Sequence, residues 1–144
     1  MSLKDGMKKM SKSDPSDLSR INLTDSKDEI SNKVKKAKTD PMTMPSNIKD
    51  LTERPETKNL LGIYSSLKSQ NLDSSIKEFQ GKQFSEFKEK LSQVLIEKIG
   101  PISKEIKRLL NDKKYLDEIL LKGSEKADKI ASKKIKEIKE LVGF

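Results

Sequence analysis

Apolar residues recur at helical spacing through most of this chain, and the first clear helix start lies at Ser26. Ser26 and Glu29 match a capping box, in which each side chain accepts a hydrogen bond from the backbone N–H of the other residue. Ile30 and Val34 then begin a narrow apolar stripe. The sequence therefore predicts a first helix here, followed by a proline-containing loop over residues 39–56.

From about residue 56 the apolar positions keep a helical spacing to the end of the chain. Asn71 and Gly81 bracket a short helix, because asparagine caps helix starts and glycine stops helices. A long helix follows, and Gly100-Pro101 in its middle predicts a kink or a break. A helix is therefore predicted before Asn71 as well, which makes three helices in this region. Their apolar stripes, in chain order, are Leu60, Leu61, Tyr64 and Leu67 in the first helix, Ile76 and Phe79 in the short helix, and Phe84, Phe87, Leu91, Val94, Leu95, Ile99, Ile102, Ile106, Leu109 and Leu110 in the long helix.

The last part of the chain predicts two further helices. After a stop at Asn111-Asp112, a short helix carries Tyr115, Ile119 and Leu120, and Gly123-Ser124 predicts a turn and a new cap. The final helix is predicted to present Ala127, Ile130, Ala131, Ile135, Ile138 and Leu141 inward, and Lys126, Lys129, Lys133, Lys136 and Lys139 outward. This helix could also be read as a basic amphipathic helix that lies on a membrane. That interpretation is less favoured, because the apolar face of the helix is small and rich in alanine.

These patterns predict a mainly α-helical protein, in which four or five helices bury their apolar stripes as a bundle. Aromatic residues make up only 4% of the chain and tryptophan is absent, so the core is expected to be aliphatic. The one candidate strand is Ile21-Asn22-Leu23, and a single short strand is not stable alone. Residues 1–20 are expected to be disordered or irregular.

The net charge of +8 favours an anionic partner such as nucleic acid, a nucleotide or an acidic lipid, although a solvated surface explains it equally well. The chain has no cysteine and no histidine, which excludes disulfides, thiolate metal sites and histidine-based catalysis. No apolar run is long enough to span a membrane, and the N-terminus has no apolar signal segment. The expected location is the cytoplasm.

The candidate chemistry lies in a short polar loop with the sequence Lys9-Met10-Ser11-Lys12-Ser13 (KMSKS). Lysine is a compact cation on a flexible stem, which suits it to a polyphosphate that moves during a reaction. Serine hydroxyls and loop N–H groups donate hydrogen bonds to phosphate oxygens. The competing interpretation is an ordinary solvated loop, since short matches of this kind are weak by themselves.

A second basic cluster covers residues 33–38, at the end of the first predicted helix. Its lysines are candidates for phosphate contacts. A solvated helix face is favoured instead, because the helix dipole already favours lysine near a helix C-terminus.

The string from Met1-Ser2-Leu3-Lys4-Asp5-Gly6 through Ser13-Asp14-Pro15 resembles the KMSKS region of class I aminoacyl-tRNA synthetases, and most of all that of bacterial tryptophanyl-tRNA synthetases. The likeness is not confined to the loop, and KMSKS alone indicates only the class. Further family-like stretches are INLTD at 21–25, TD at 39–40, NLLGIY at 59–64, GKQFSEFK at 81–88 and GSEKA at 123–127.

The resemblance implies that the intact enzyme activates tryptophan with ATP and transfers it to tRNA(Trp). Lys9 and Lys12 would be catalytic and would neutralise charge on the departing pyrophosphate. Met10, Ser11 and Ser13 would shape the loop and bind phosphate or ribose. Magnesium would accompany ATP as its counter-ion, without protein ligands.

The resemblance also implies two domains. Residues 1–55 would hold the KMSKS loop and a remnant of the nucleotide-binding fold, at the end of the catalytic domain. Residues 56–144 would form a C-terminal helical domain that contacts the tRNA anticodon stem. Members of this family are homodimers, with subunit contacts largely in the half that has no counterpart here.

The chain also departs from the family, because without histidine it cannot contain the second ATP motif, HIGH. We therefore expect it to be the C-terminal portion of a longer enzyme, and to be inactive without the missing N-terminal catalytic half. A truncated chain, a split gene and a degraded gene remain open as explanations. The alternatives are a stand-alone basic helical RNA-binding module and a purely structural helical protein, for which every family-like stretch would be coincidence.

Overall fold

The computed structural model describes residues 1–143, which are mainly α-helical as predicted and contain no strand. The predicted strand at Ile21-Asn22-Leu23 is wrong, because Asn22 turns the chain: its N–H donates to Asp25 Oδ2 at 2.8 Å. Two 3-10 turns cover Asp17–Ser19 and Ile48–Leu51. The helices are α1 Lys27–Lys36, α2 Pro55–Lys68, α3 Leu72–Phe79, α4 Phe84–Asn111 and α5 Lys113–Val142.

Side-chain caps explain where the first helices begin. Ser26 Oγ accepts from the Glu29 N–H at 3.3 Å, and the Ser26 N–H donates to Glu29 Oε2 at 2.7 Å, which confirms the predicted capping box. Asn71 caps α3, and Gly81, with φ +72°, follows its end. Pro55 does not break a helix but occupies the first turn of α2, where its missing N–H costs nothing.

The chain divides into two compact units, Met1–Lys104 and Glu105–Phe144. The core of the first unit is mostly aliphatic, as predicted, but three aromatic rings meet within it. The Tyr64 and Phe79 centroids lie 5.0 Å apart, and those of Phe79 and Phe87 lie 4.9 Å apart, both edge to face. The buried core contains Leu3, Ile30, Val34, Ala37, Met44, Leu51, Leu60, Leu61, Tyr64, Ile76, Phe79, Phe87, Leu91, Val94, Leu95 and Ile99.

This core contains residues from both sides of position 55. The assignment of residues 1–55 to the end of a catalytic domain, and of residues 56–144 to a C-terminal helical domain, stays a prediction.

The long connection between α1 and α2 is fixed by one charged cluster. Arg54 donates to both carboxylate oxygens of Asp40, at 2.9 and 2.7 Å, and also to the Thr43 carbonyl at 2.8 Å. Thr57, at the start of α2, donates to the same carboxylate at 2.6 Å. Burial disfavours the charged form of Asp40, but the hydrogen bonds from Arg54 and Thr57 outweigh burial and lower its pKa.

Gly100-Pro101, predicted to kink or break its helix, does not end it, and the turn predicted at Gly123-Ser124 does not occur. Helix α4 continues through Pro101, because the loss of one backbone hydrogen bond does not end a helix whose neighbouring turns are intact. Helix α5 is a single helix that runs through Gly123, starting from a cap in which Asp112 Oδ1 accepts the Tyr115 N–H at 3.1 Å. The predicted short helix and turn around Gly123-Ser124 are therefore wrong.

The expectation that α5 buries an apolar face is also wrong, because α5 has no buried side chain. Its own unit contains, besides α5, only the last turns of α4. Helices α1 to α4, together with the N-terminal segment and the connection between α1 and α2, supply the core instead. No helix among residues 1–143 is long and apolar enough to cross a membrane.

Candidate phosphate-binding loop

The five residues 9–13, here called the lysine loop, are all exposed. Lys9 and Lys12 make no hydrogen bond or ion pair with any residue in the described part of the chain. Met10 is 41% exposed, although a methionine is normally buried. Both ammonium groups are therefore available to an anionic ligand.

Ser11 shapes the loop from inside. Its hydroxyl accepts the Ser13 N–H at 3.2 Å, and its carbonyl accepts the Asp14 N–H at 3.3 Å. These contacts form a tight turn around Lys12. A serine hydroxyl that accepts a hydrogen bond still has its own proton to donate, so Ser11 retains a donor for a phosphate oxygen.

The segment after the loop, residues 14–20, is its C-terminal stem. The Asp14 carboxylate accepts the Ser16 N–H at 2.8 Å, and its carbonyl accepts Arg20 Nη1 at 3.1 Å. Arg20 Nη2 also lies 3.2 Å from Asp17. Arginine suits this role because its fork of donors binds several oxygens at once.

An ion cluster around the buried Lys33 connects this stem to α1. Lys33 Nζ lies 2.7 Å from Asp25 Oδ2 and 2.5 Å from Asp17 Oδ2. Burial disfavours the Lys33 cation, but its hydrogen bonds to Asp17 and Asp25 outweigh burial and raise its pKa. The cluster therefore holds the C-terminal stem against α1.

The segment before the loop, residues 2–8, is its N-terminal stem. The Leu3 N–H donates to the Ser19 carbonyl at 2.9 Å, which joins the two stems, and the Lys38 N–H donates to the Leu3 carbonyl at 2.8 Å. The Ser2 N–H donates to the Lys8 carbonyl at 2.9 Å, immediately before the loop. Residues 9–13 thus form a free loop on two attached stems.

Gly6 in the N-terminal stem packs closely against the start of α2. A Cβ at this position would lie 2.4 Å from the Pro55 carbonyl carbon and 2.5 Å from the Glu56 nitrogen. Only glycine permits this contact with the start of α2. Glu56 in turn forms an ion pair with Lys38 at 2.8 Å.

The structure separates the lysines that the sequence grouped together. Lys33 is enclosed by carboxylates and is not available to a phosphate, and Lys38 is paired with Glu56. Lys35 and Lys36 are exposed. The sequence analysis missed Glu56 and Lys33 as structural supports of the loop, because residues distant in sequence carry no local signal of their pairing.

Comparisons with known proteins cover this part of the chain. A family model described as class I tRNA synthetases (W and Y) matches residues 1–100, a range that includes the lysine loop and both stems. The chain belongs to this family.

Relatives among curated proteins match the whole chain. It is 51% identical over 144 residues to the tryptophan–tRNA ligase of Agrobacterium fabrum, and covers 41% of that protein. It is likewise 51% identical over 144 residues to that of Rickettsia felis, and covers 43% of it. The chain therefore spans less than half the length of these class I relatives.

The solved structures that are similar in fold include the tryptophanyl-tRNA synthetase from Mycoplasma pneumoniae. The TM-score is 0.60 at 24% sequence identity, covering 75% of this chain and 34% of that chain. At this identity the match supports the fold and nothing beyond it.

Proposed function

We propose that this chain is the C-terminal portion of a tryptophan–tRNA ligase and supplies its mobile phosphate-binding loop. The observation that carries the proposal is the lysine loop itself: two unpaired, exposed lysines lie between two stems that are attached to α1 and α2. The 51% identity to tryptophan–tRNA ligases over the whole chain supports the choice of tryptophan.

In the proposed reaction, the tryptophan carboxylate attacks the α-phosphorus of ATP. Tryptophanyl-adenylate forms and pyrophosphate leaves. The amino acid then passes from the adenylate to a ribose hydroxyl at the tRNA 3′ end, and AMP leaves.

Lys9 and Lys12 would act at the first step by stabilising the charge that develops on the departing pyrophosphate. Met10 would help to set the shape of the loop, and Ser11 and Ser13 would donate hydrogen bonds to phosphate or ribose oxygens. Because residues 9–13 are unattached while both stems are fixed, the loop is suited to closing over ATP as a gating step. Magnesium would arrive with ATP as its counter-ion.

The proposal implies several partners. Residues 56–144 would contact the tRNA, with exposed lysines directed at phosphates rather than at bases. The remaining part of the enzyme would supply the tryptophan pocket and the adenine site. The intact enzyme would be a cytoplasmic homodimer.

The test is tryptophan-dependent ATP–pyrophosphate exchange in a chimera, where residues 1–144 replace the matching portion of the Rickettsia felis enzyme. We expect exchange by the chimera and none by the chain alone. Lys12→Ala should slow adenylate formation by about 30- to 1000-fold while tryptophan affinity stays unchanged, since a charge contact made only in the transition state is lost.

The matched control is Lys36→Ala, which removes an exposed lysine of α1 outside the loop. It should leave the exchange rate unchanged. Equal losses for Lys12→Ala and Lys36→Ala, or exchange by the chain alone, would contradict the proposal.

A second candidate function is nonspecific RNA binding by the helical segment. It is favoured by the net charge of +8 and by α5, whose lysines are all exposed. It predicts that binding falls steeply with salt and shows no preference among tRNAs. A clear preference for tRNA(Trp) in a competition assay would exclude it.

A further inference from the structure

Three residues from separate parts of the first unit meet where the N-terminal stem lies against α2: Gly6, Lys38 and Glu56. We call this group the clasp. Lys38 Nζ lies 2.8 Å from Glu56 Oε1, and the Gly6 N–H faces the same carboxylate. The hydrogen-bonded ion pair with Lys38, assisted by the backbone N–H groups of Glu56 itself and of Gly6, lowers the pKa of Glu56.

The clasp is connected to the stem through the backbone as well. The Lys38 N–H donates to the Leu3 carbonyl at 2.8 Å, so Lys38 binds the stem directly while its ammonium binds Glu56. Gly6 lies against the backbone of Pro55 and Glu56 with no room for a Cβ. The clasp therefore fixes the stem to the start of α2 at a point three residues before Lys9.

We propose that Glu56 is a positioning residue for the lysine loop, and that it sets the place of Lys9 and Lys12 by holding Gly6 and Lys38. This inference rests on the proposed function of the loop. Glu56 touches no substrate in this scheme and acts through the stem. Catalysis is sensitive to such positioning, because displacement of a reacting group by an ångström is costly.

The clasp is poorly suited to a purely stabilising role. The Lys38 side chain is 59% exposed although that of Glu56 is only 13% exposed, and solvent around the ammonium limits what the ion pair contributes to folding stability. A loss of catalysis without a loss of stability therefore separates positioning from support of the fold.

The experiment uses the chimera described above, with Glu56→Gln, Lys38→Gln and the double variant. We expect each single variant to lower kcat for pyrophosphate exchange by about 5- to 50-fold, with KM for tryptophan and the melting temperature unchanged. The double variant should lose little more than either single one, because both substitutions open the same contact.

Two further variants sharpen the result. Lys38→Arg keeps the charge and the donors, and should retain most of the activity. Lys36→Gln, at the exposed last residue of α1, is the matched control and should match the unsubstituted chimera. If Glu56→Gln and Lys38→Gln keep the kcat of the Lys36→Gln control while Lys12→Ala lowers the rate of exchange, the inference fails and the proposed function stands. If Lys12→Ala has no effect, the proposed function fails, and the inference with it.

A second measurement uses the chain alone and does not depend on activity. Because the chain has no cysteine, spin labels attach only at introduced cysteines, here Met7→Cys in the stem and Lys58→Cys on α2. The distance distribution between them should broaden in Glu56→Gln and stay narrow in Lys36→Gln. An unchanged distribution in Glu56→Gln would overturn the inference.

Discussion

Lys33 of α1 and Asp25, which precedes this helix, form a buried ion pair with Nζ and Oδ2 2.7 Å apart. Their side chains are only 4% and 5% exposed, so neither charge can be solvated if the other is removed. Lys33→Met should therefore lower the free energy of unfolding by ~3–5 kcal/mol, as measured by urea denaturation.

The control for this prediction is Lys36→Met, at an exposed position of the same helix. It should change stability by no more than about 0.5 kcal/mol. If Lys33→Met changes the free energy of unfolding as little as Lys36→Met does, water solvates the carboxylates of Asp25 and Asp17 once the Lys33 ammonium is removed, and the prediction is wrong.

Acid should weaken the fold through Asp40. The pKa of this carboxyl is lowered in the folded chain from its ordinary value of 3.8. The ionised Asp40 carboxylate therefore makes its full contribution to the free energy of unfolding at pH values above 3.8. This contribution is lost as the pH falls through the lower pKa of the folded state. Asp40→Asn should be less stable than the parent at neutral pH, and its stability should fall less between about pH 4 and pH 2.

Urea denaturation across this pH range measures both effects. Asp128→Asn is a suitable control, because Asp128 is exposed and accepts a 3.2 Å hydrogen bond from the Ser132 hydroxyl one turn along the same helix. Parallel pH profiles for the parent and Asp40→Asn would contradict the assignment.

Gly6→Ala should displace the N-terminal stem from α2. The added Cβ would lie 2.4 Å from the Pro55 carbonyl carbon, which is backbone and cannot rotate away. We expect a loss of ~1–3 kcal/mol in the free energy of unfolding. Gly62→Ala is the matched control, since a Cβ there meets nothing within 4 Å; in a helix interior it should be neutral or stabilising.

Gly123→Ala tests whether α5 is one helix. Alanine is favoured over glycine by ~1 kcal/mol inside a helix, so the helical circular dichroism signal should increase and the melting of α5 should shift upward. A Cβ at Gly123 meets nothing within 4 Å, so no clash opposes the gain. A decrease in signal would indicate that residue 123 belongs to a turn after all.

The sequence was sufficient to predict those features that depend on residues close together in the chain. Ser26 with Glu29 predicts the start of α1, and Asn71 with Gly81 predicts the limits of α3, because capping depends on residues a few positions apart. The same holds for the lysine loop, whose residues are contiguous in the sequence.

The sequence was insufficient to predict helix continuity and ion pairing where local propensity is overridden by other contacts in the fold. Pro101 and Gly123 are helix breakers by propensity, but each lies in a helix whose other turns favour continuation. The pairing of Lys38 with Glu56 depends on how the loop between α1 and α2 returns, and that path depends on the contact of Asp40 with Arg54. No local pattern encodes such a path.

Helix α5 has no buried side chain, and this has a consequence for amide hydrogen exchange. Its N–H groups are protected only by the hydrogen bonds of the helix itself, so fraying and local melting expose them without opening the core. Amides around Leu61 and Phe87, in contrast, exchange only when the first unit opens. The chain should therefore show two levels of protection rather than one, with the border falling within the long helix α4.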